Sequence, residues 1–518
     1  MKENKIMLKN ISRSLEDMLG KPYMDAVQET AVTLLGLDAD EAKALATDKV
    51  DFYPEAYAAK ADAIAAKVGQ QVVAPFVNDL VGAPTESFKK ATHVNASPIG
   101  GMGTVRVGQD GRAYIAAKSE HYHIPLGHNF PGYKLVTKGR QLGILNATHN
   151  NTRGYITRRM EEQIVMDANG ITERGAELDA VIASKEPKVL NRLISLETGS
   201  LAVEAALKMM LTRFYRLDKT FGESKYAGKT PVFMIMQDND GGPEANYHGT
   251  TIFAQTLRGM WPEFRAVCEN AGLYKVVPVK PNDLADFEAK IKMYNEGNYK
   301  TAGFMHEIIL MNYGGIRLTK EFLQGAYALA AQYDTPTLSD EIQSCMWYKG
   351  MFLFREYGLK PDFVIIGKGF PGGEYPASKV ITTYEMDSLN QFGALVTNGQ
   401  EELASLAYLL TMEYVRENGA EIEAMGNLIE TKLNELAAKY PAQIDKIEGL
   451  AHLAAIHFQT VEAAADFAKI VNGSCIDVSA QLYKANCPPA VLLKLPLVTS
   501  EAVLDVCLEK FEAALAQM

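Results

Sequence analysis

Between about residues 190 and 385 the chain alternates short apolar runs with amphipathic stretches of helical spacing. The runs are 231–236, 303–309, 335–338, 363–366 and 378–381, and the intervening helical patterns include 201–215 and 320–333. A run that is apolar throughout, rather than at every second residue, suits a strand covered on both faces. Strands separated by helices pair in parallel, so the expected fold class is α/β, with a mainly parallel sheet flanked by helices.

At 518 residues, 47% of them hydrophobic, the chain exceeds what one core organises, and two or more lobes are expected. The formal net charge of -11 comes with no basic stripe to gather phosphates, which argues against nucleic acid or an anionic membrane as partner. A small-molecule ligand is the better expectation. Five widely spaced cysteines without a CxxC pair read as reduced thiols in a reducing compartment, so the cytoplasm is expected and a zinc site is not. The charged start Met1-Lys2-Glu3-Asn4-Lys5 has no apolar signal core, and no run of about 18 apolar residues follows.

The chain's texture changes along its length. Residues 14–92 are rich in Ala, Glu, Asp and Lys with helix-like spacing, as over 56–73, and read as a helical extension. From 93 to 150, clusters such as Gly100-Gly101-Met102-Gly103 and Leu126-Gly127-His128-Asn129-Phe130-Pro131 read as loops and short strands. After about 400, two long helical patterns at 403–416 and 419–440 precede a βαβ-like tail that ends in 499–518, a smaller α/β lobe.

Four places carry chemistry. Glu197-Thr198-Gly199-Ser200 opens a strong helix pattern, so free N–H groups and a hydroxyl meet in a cup suited to phosphate; taken alone, this is also how an ordinary cap looks. Tyr247-His248-Gly249 follows a strand through a glycine-rich loop, where an aromatic stacks on a flat heterocycle or simply packs the loop. Asp340 and Lys368 end two buried runs. A carboxylate there needs a cationic partner, and a long amine leaving a buried strand is seldom placed for solvation.

In combination these residues resemble the class III aminotransferases, fold type I enzymes that use pyridoxal 5'-phosphate. Asp340-Glu341-Ile342-Gln343 is similar to that family's DEVQ segment, and Pro361-Asp362 through Lys368-Gly369 is similar to its lysine segment. Thr198-Gly199-Ser200 with Glu204-Ala205-Ala206-Leu207-Lys208 resembles its SGSEAxEAAxK helix, and Tyr247-His248-Gly249 its YHG turn. Glu307 with Gly314-Gly315-Ile316, and Leu126-Gly127-His128 with Pro131, resemble its EPxxGxGG and LGHxxP segments, all in the family's order.

The resemblance implies that Lys368 is the Schiff-base lysine and proton shuttle and that Asp340 keeps the pyridine nitrogen protonated. It implies phosphate binding by Gly199 and Ser200, stacking by Tyr247, and Gln343 near the ring's 3-hydroxyl, with His248 and Glu307 in the cofactor-binding set. Thr397 stands where the family has a threonine that reaches the phosphate of the other subunit, which implies a homodimer. The implied reaction moves an amino group between a small amine or amino acid and a 2-oxo acid or aldehyde, with ping-pong kinetics. The implied domains are an extension over 1–92, the start of a small domain over 93–150, a large cofactor-binding domain over 151–396 and a C-terminal small domain over 397–518.

Departures from the pattern concentrate on the substrate side. Leu201 replaces a glutamate, Ile308 replaces a proline, Arg317 falls close to where the family often has proline, and Tyr348-Lys349-Gly350 replaces a GRTG-like turn in a shortened interval. Thr397-Asn398-Gly399-Gln400-Glu401-Glu402-Leu403-Ala404 stands for TFGGNPLA. The same cofactor and fold also serve racemases, aminomutases and lyases, and a catalytically silent homologue is a further alternative.

Overall fold

The structure, a computed structural model, describes residues 6–376, 378–482 and 486–518; the charged start at 1–5 lies outside the described residues. Fourteen strands position the site. They are β1 (Pro98–Met102), β2 (Val105–Gly108), β3 (Ala113–Ile115), β4 (Leu190–Leu196), β5 (Thr230–Met236), β6 (Lys275–Val279), β7 (Tyr299–His306), β8 (Thr337–Asp340), β9 (Phe363–Ile366), β10 (Ser378–Thr383), β11 (Ile444–Leu450), β12 (Leu453–Phe458), β13 (Ser479–Ala480) and β14 (Ala490–Leu493).

A seven-stranded sheet in the order β4-β10-β9-β8-β7-β5-β6 forms the centre. Every pair is parallel except the two that β10 makes with β4 and β9, so six strands run one way and β10 runs against them. All side chains of β5 and β9 are buried, as continuous apolar runs between two helical layers require. In register, Leu338 faces Phe363 and Asp340 faces Ile365, so β8 and β9 deliver Asp340 and, two residues after Ile366, Lys368 to one edge of the sheet. The exits of β4, β5 and β7 reach the same edge. Ligands of open parallel sheets bind there, outside the carboxyl ends of the strands.

Each apolar run expected from the sequence overlaps a strand, and β9 spans 363–366 as expected, but the run at 303–309 leaves β7 after His306 and the run at 335–338 becomes strand only from Thr337, so that β8 reaches on to Asp340. β4 and β6 lay outside that expectation for physical reasons: β4 mixes Asn191, Arg192 and Ser195 among apolar residues, and β6 carries Pro278, which an edge strand tolerates. Two expectations change. The helix expected over 56–73 is Glu55–Ala65, beyond which the chain turns at Gly69 with φ of +82°. The βαβ-like tail is an antiparallel four-stranded sheet, β11-β12-β14-β13, with helix Val461–Gly473 before β13.

The regions at the chain's two ends are packed into these cores. Val105, Ala113 and Ile115 of β2 and β3 share a cluster with Met425 and Leu433 of helix Gly419–Lys439 and with Phe467 and Phe511. In the amino-terminal region, Leu15, Leu19, Met24 and Phe52 are fully buried in the main core, and a short strand pair, Ser12–Arg13 with Val50–Asp51, interrupts the helices.

Candidate active site

A cavity of about 490 Å³ opens at the strand-exit edge, a size that suits a small cofactor and substrate. Gly199, Ser200, Tyr247, Glu307, Asp340, Gln343 and Lys368 line it, so most of the residues expected from the sequence meet in one place. His248 lies behind this wall with Nδ1 3.1 Å from Asp340 Oδ2. Thr397 is exposed and does not line the cavity of its own chain.

Each wall follows from local structure. Helix Gly199–Leu211 starts after Thr198, whose side chain makes no cap, so its first N–H groups face the cavity. A Cβ at Gly199 would lie 2.4 Å from Ile342 Cδ1, and one at Gly249 (φ +105°) would lie 2.8 Å from Ser200 Cα, so only glycine lets these loops close. Thr250 N–H donates to Ser200 Oγ at 3.1 Å, which aims the hydroxyl. Glu197 adds a carboxylate at the rim of this cup.

On the floor, Asp340 Oδ1 accepts the Ile342 N–H at 3.1 Å, and Gln343 Nε2 donates to Glu307 Oε2 at 3.0 Å. Gln343 Oε1 is buried and has no partner among the described residues. Lys368 is held at φ of +43°, a left-handed conformation that a non-glycine residue adopts at a cost and that is common at functional sites. Burial lowers its pKa to about 8, against the opposing pull of Glu307 and Asp340. A lysine so placed is a ready nucleophile and base.

Other residues of the site carried no sequence signal. Ser119, Glu120, His121 and Tyr122 form a left-handed turn, with φ of 50°, 46°, 61° and 75°, that sends His121 into the cavity wall, where His123 joins it. Desolvation at the mouth, then Lys368, holds His121 down to about 4, so its imidazole is neutral. The Lys368 amine lies 5.0 Å from the Tyr122 ring centroid. A second, fully buried amine, Lys494, lies 4.7 Å from the same ring and donates to Gln343 O at 2.6 Å. The Arg258 guanidinium stacks 4.4 Å from the Tyr247 ring centroid.

The sequence model of the aminotransferase class-III family matches residues 89–515. The chain belongs to that family. Its similarity to the mitochondrial ornithine aminotransferase of Arabidopsis thaliana is 28% identity over 41% of this chain and 45% of the relative, so the match spans about half of that protein. The fold is that of a PMP-bound aminotransferase from Vibrio fluvialis, with a TM-score of 0.65 at 18% identity over 85% of this chain and 96% of the other. A phospholyase from Arthrobacter in complex with phosphoethanolamine has the same fold, with a TM-score of 0.61 at 18% identity over 81% and 94%.

The class III fold of the chain fits pyridoxal phosphate at the level of its atoms. An uncapped helix start and two obligatory glycines suit the phosphate. The orphaned Gln343 Oε1 awaits a donor such as a ring hydroxyl, and Lys368 supplies an amine with a lowered pKa.

Proposed function

We propose that the chain is a pyridoxal-phosphate-dependent aminotransferase that moves an amino group between a small amine or amino acid and a 2-oxo acid or aldehyde. The carrying observation is the exit of Asp340 and Lys368 from adjacent parallel strands into one cavity with the Gly199-Ser200 cup. When bound, the cofactor supplies an electron sink that stabilises negative charge at the substrate Cα. Lys368 Nζ would hold the cofactor and, once freed by the substrate's amine, would take up the substrate Cα proton and deliver it to the cofactor carbon that is to carry the amino group. Asp340, fixed by Ile342 N–H and His248, presents a carboxylate to a protonated ring nitrogen. Gly199 and Ser200 bind the phosphate, Tyr247 stacks on the ring, and Gln343, braced by Glu307, accepts from the ring hydroxyl.

The reading includes a homodimer in which Thr397 of one chain reaches the phosphate in the other; the exposure of Thr397 outside its own cavity supports this. The domain limits at 92, 150 and 396 belong to the same reading. So does a cytoplasmic setting, supported by five free, buried thiols. No helix among the described residues is long and apolar enough to cross a membrane.

The test is a half-reaction. Stoichiometric conversion of the yellow cofactor to its amino form by a donor alone, reversed by an acceptor alone, is expected. Elimination or racemisation without conversion would instead favour a lyase or racemase, a reading kept in view by the phospholyase of the same fold.

A further inference from the structure

Every residue from 73 to 95 is exposed. The apolar side chains Val77, Leu80, Val81 and Phe88 expose 89, 85, 71 and 70% of their surface, and Phe76 exposes 56%. The stretch is nonetheless pinned at both feet to one turn. Val72 and Val73 N–H donate to Gly111 O at 2.8 and 3.2 Å and Phe76 N–H to Gln109 O at 2.7 Å; on the other side Gln109 N–H donates to Ser97 O at 2.9 Å and Asp110 N–H to Asn95 O at 3.1 Å. Between the feet stands a loop, 77–94, with an apolar tip. Its helix, Glu86–Ala91, buries none of its residues, and a six-residue helix does not hold in water unaided.

We propose that this loop docks on a second copy of the chain and forms a reciprocal clasp between the two subunits. With Val73, Val94 and Ile99, its exposed apolar side chains present on the order of 900 Å² by ordinary side-chain areas. Summed over these side chains, that is close to the roughly 800 Å² that one partner brings to a stable interface. A two-fold pairing uses the same surface twice, about 1,800 Å² in all, without any further contact. The charges of the stretch, Asp79 and Glu86 against Lys89 and Lys90, cancel, which suits neither a nucleic acid nor an anionic lipid surface.

The loop's position favours the same occupant. Its far foot continues into β1, where Asn129 Nδ2 donates to Gly101 O at 2.6 Å and His128 packs on Gly101. His128 Nε2 lies 3.1 Å from Glu120 Oε1, beside His121 on the cavity wall. The clasp therefore begins near the cavity mouth, the side on which the proposed function, which this clause alone assumes, brings the partner's phosphate-reaching threonine. The family model's match begins at residue 89, so most of the loop lies outside the matched range.

The test uses the full chain without added cofactor, so it stands apart from the enzymatic reading. Sedimentation across a dilution series compares the wild type with Val77→Asp/Leu80→Asp/Phe88→Asp. Because these side chains are exposed, the variant keeps the wild-type fold by circular dichroism, and its dimer dissociation constant rises at least 100-fold. In parallel, Leu80→Cys carries a photoactivatable maleimide, selectively because the native thiols are buried. After subunit exchange with isotopically heavy chains, its cross-links join light to heavy protein. An unchanged dissociation constant, a wild type that is monomeric throughout, or cross-links only within one chain overturns the clasp. A protein that dimerises through the loop yet takes up no pyridoxal phosphate refutes the enzymatic reading instead.

Discussion

His248 Nδ1 lies 3.1 Å from Asp340 Oδ2, and the two side chains are only 1 and 6% exposed. A carboxylate this buried keeps its position only through its partners, here the imidazole and the Ile342 N–H. Asp340→Asn preserves the shape and removes the charge that faces the proposed ring nitrogen. Transamination should fall by about 10² to 10³-fold, the usual cost of losing one preorganised electrostatic group, while cofactor content falls far less. Activity within a few-fold of wild type would show that the carboxylate is structural.

The amine of Lys368 gives a pH signature with a definite sign. Burial disfavours its ammonium and lowers its pKa to about 8, so the uncharged amine dominates above that value. Only the uncharged amine attacks the cofactor's aldehyde. Uptake of pyridoxal phosphate by the apoprotein should therefore climb about tenfold per pH unit up to about pH 8 and then level off. Glu307→Gln removes a charge that favours the ammonium and should move the midpoint down. A rate still climbing near the ordinary lysine value of about 10.4 would contradict the assignment.

Much of this site was legible because strand ends are punctuated in the sequence. Lys368 follows the unbroken apolar run Phe363–Ile366 by two residues, Asp340 closes the buried strand Thr337–Asp340, and Gly199 and Gly249 stand where a Cβ would collide with Ile342 or Ser200. What stayed hidden depends on tertiary placement. The left-handed turn at Ser119–Tyr122 has no glycine to announce it, and it alone brings His121 to the cavity. Lys494 sits 151 residues from its acceptor, Gln343 O, so no local pattern marks it. β6 was missed because an edge strand with Pro278 carries little of the buried-run signal.

Gly249 tests the phosphate cup. At φ of +105° an alanine is strained, and its Cβ would meet Ser200 Cα at 2.8 Å and Oγ at 2.9 Å, displacing the hydroxyl that Thr250 N–H now holds. Strain and displacement together are worth about 1–3 kcal/mol, so the cofactor dissociation constant of Gly249→Ala should rise roughly 10- to 100-fold. Gly222→Ala, in open space, serves as control and should leave it unchanged. Equal affinity in the two variants would remove the cup from the cofactor site.

Phe52 decides whether the amino-terminal region is an appendage or part of the core. It is fully buried, 6.0 Å edge-on from the Phe130 ring and 6.4 Å from the Tyr414 ring, and so joins the extension to the Leu126-to-Pro131 segment and to helix Glu402–Glu417. Phe52→Ala should cost about 3–5 kcal/mol, the transfer of the ring plus the cavity it leaves. Lys43→Ala, an exposed change in the same region, should stay within about 0.5 kcal/mol. Urea unfolding followed by both tryptophan fluorescence and cofactor absorbance separates the outcomes. If Phe52 is core, both signals shift together to lower urea; a shift no larger than that of Lys43→Ala would mean that the extension folds as a separate unit.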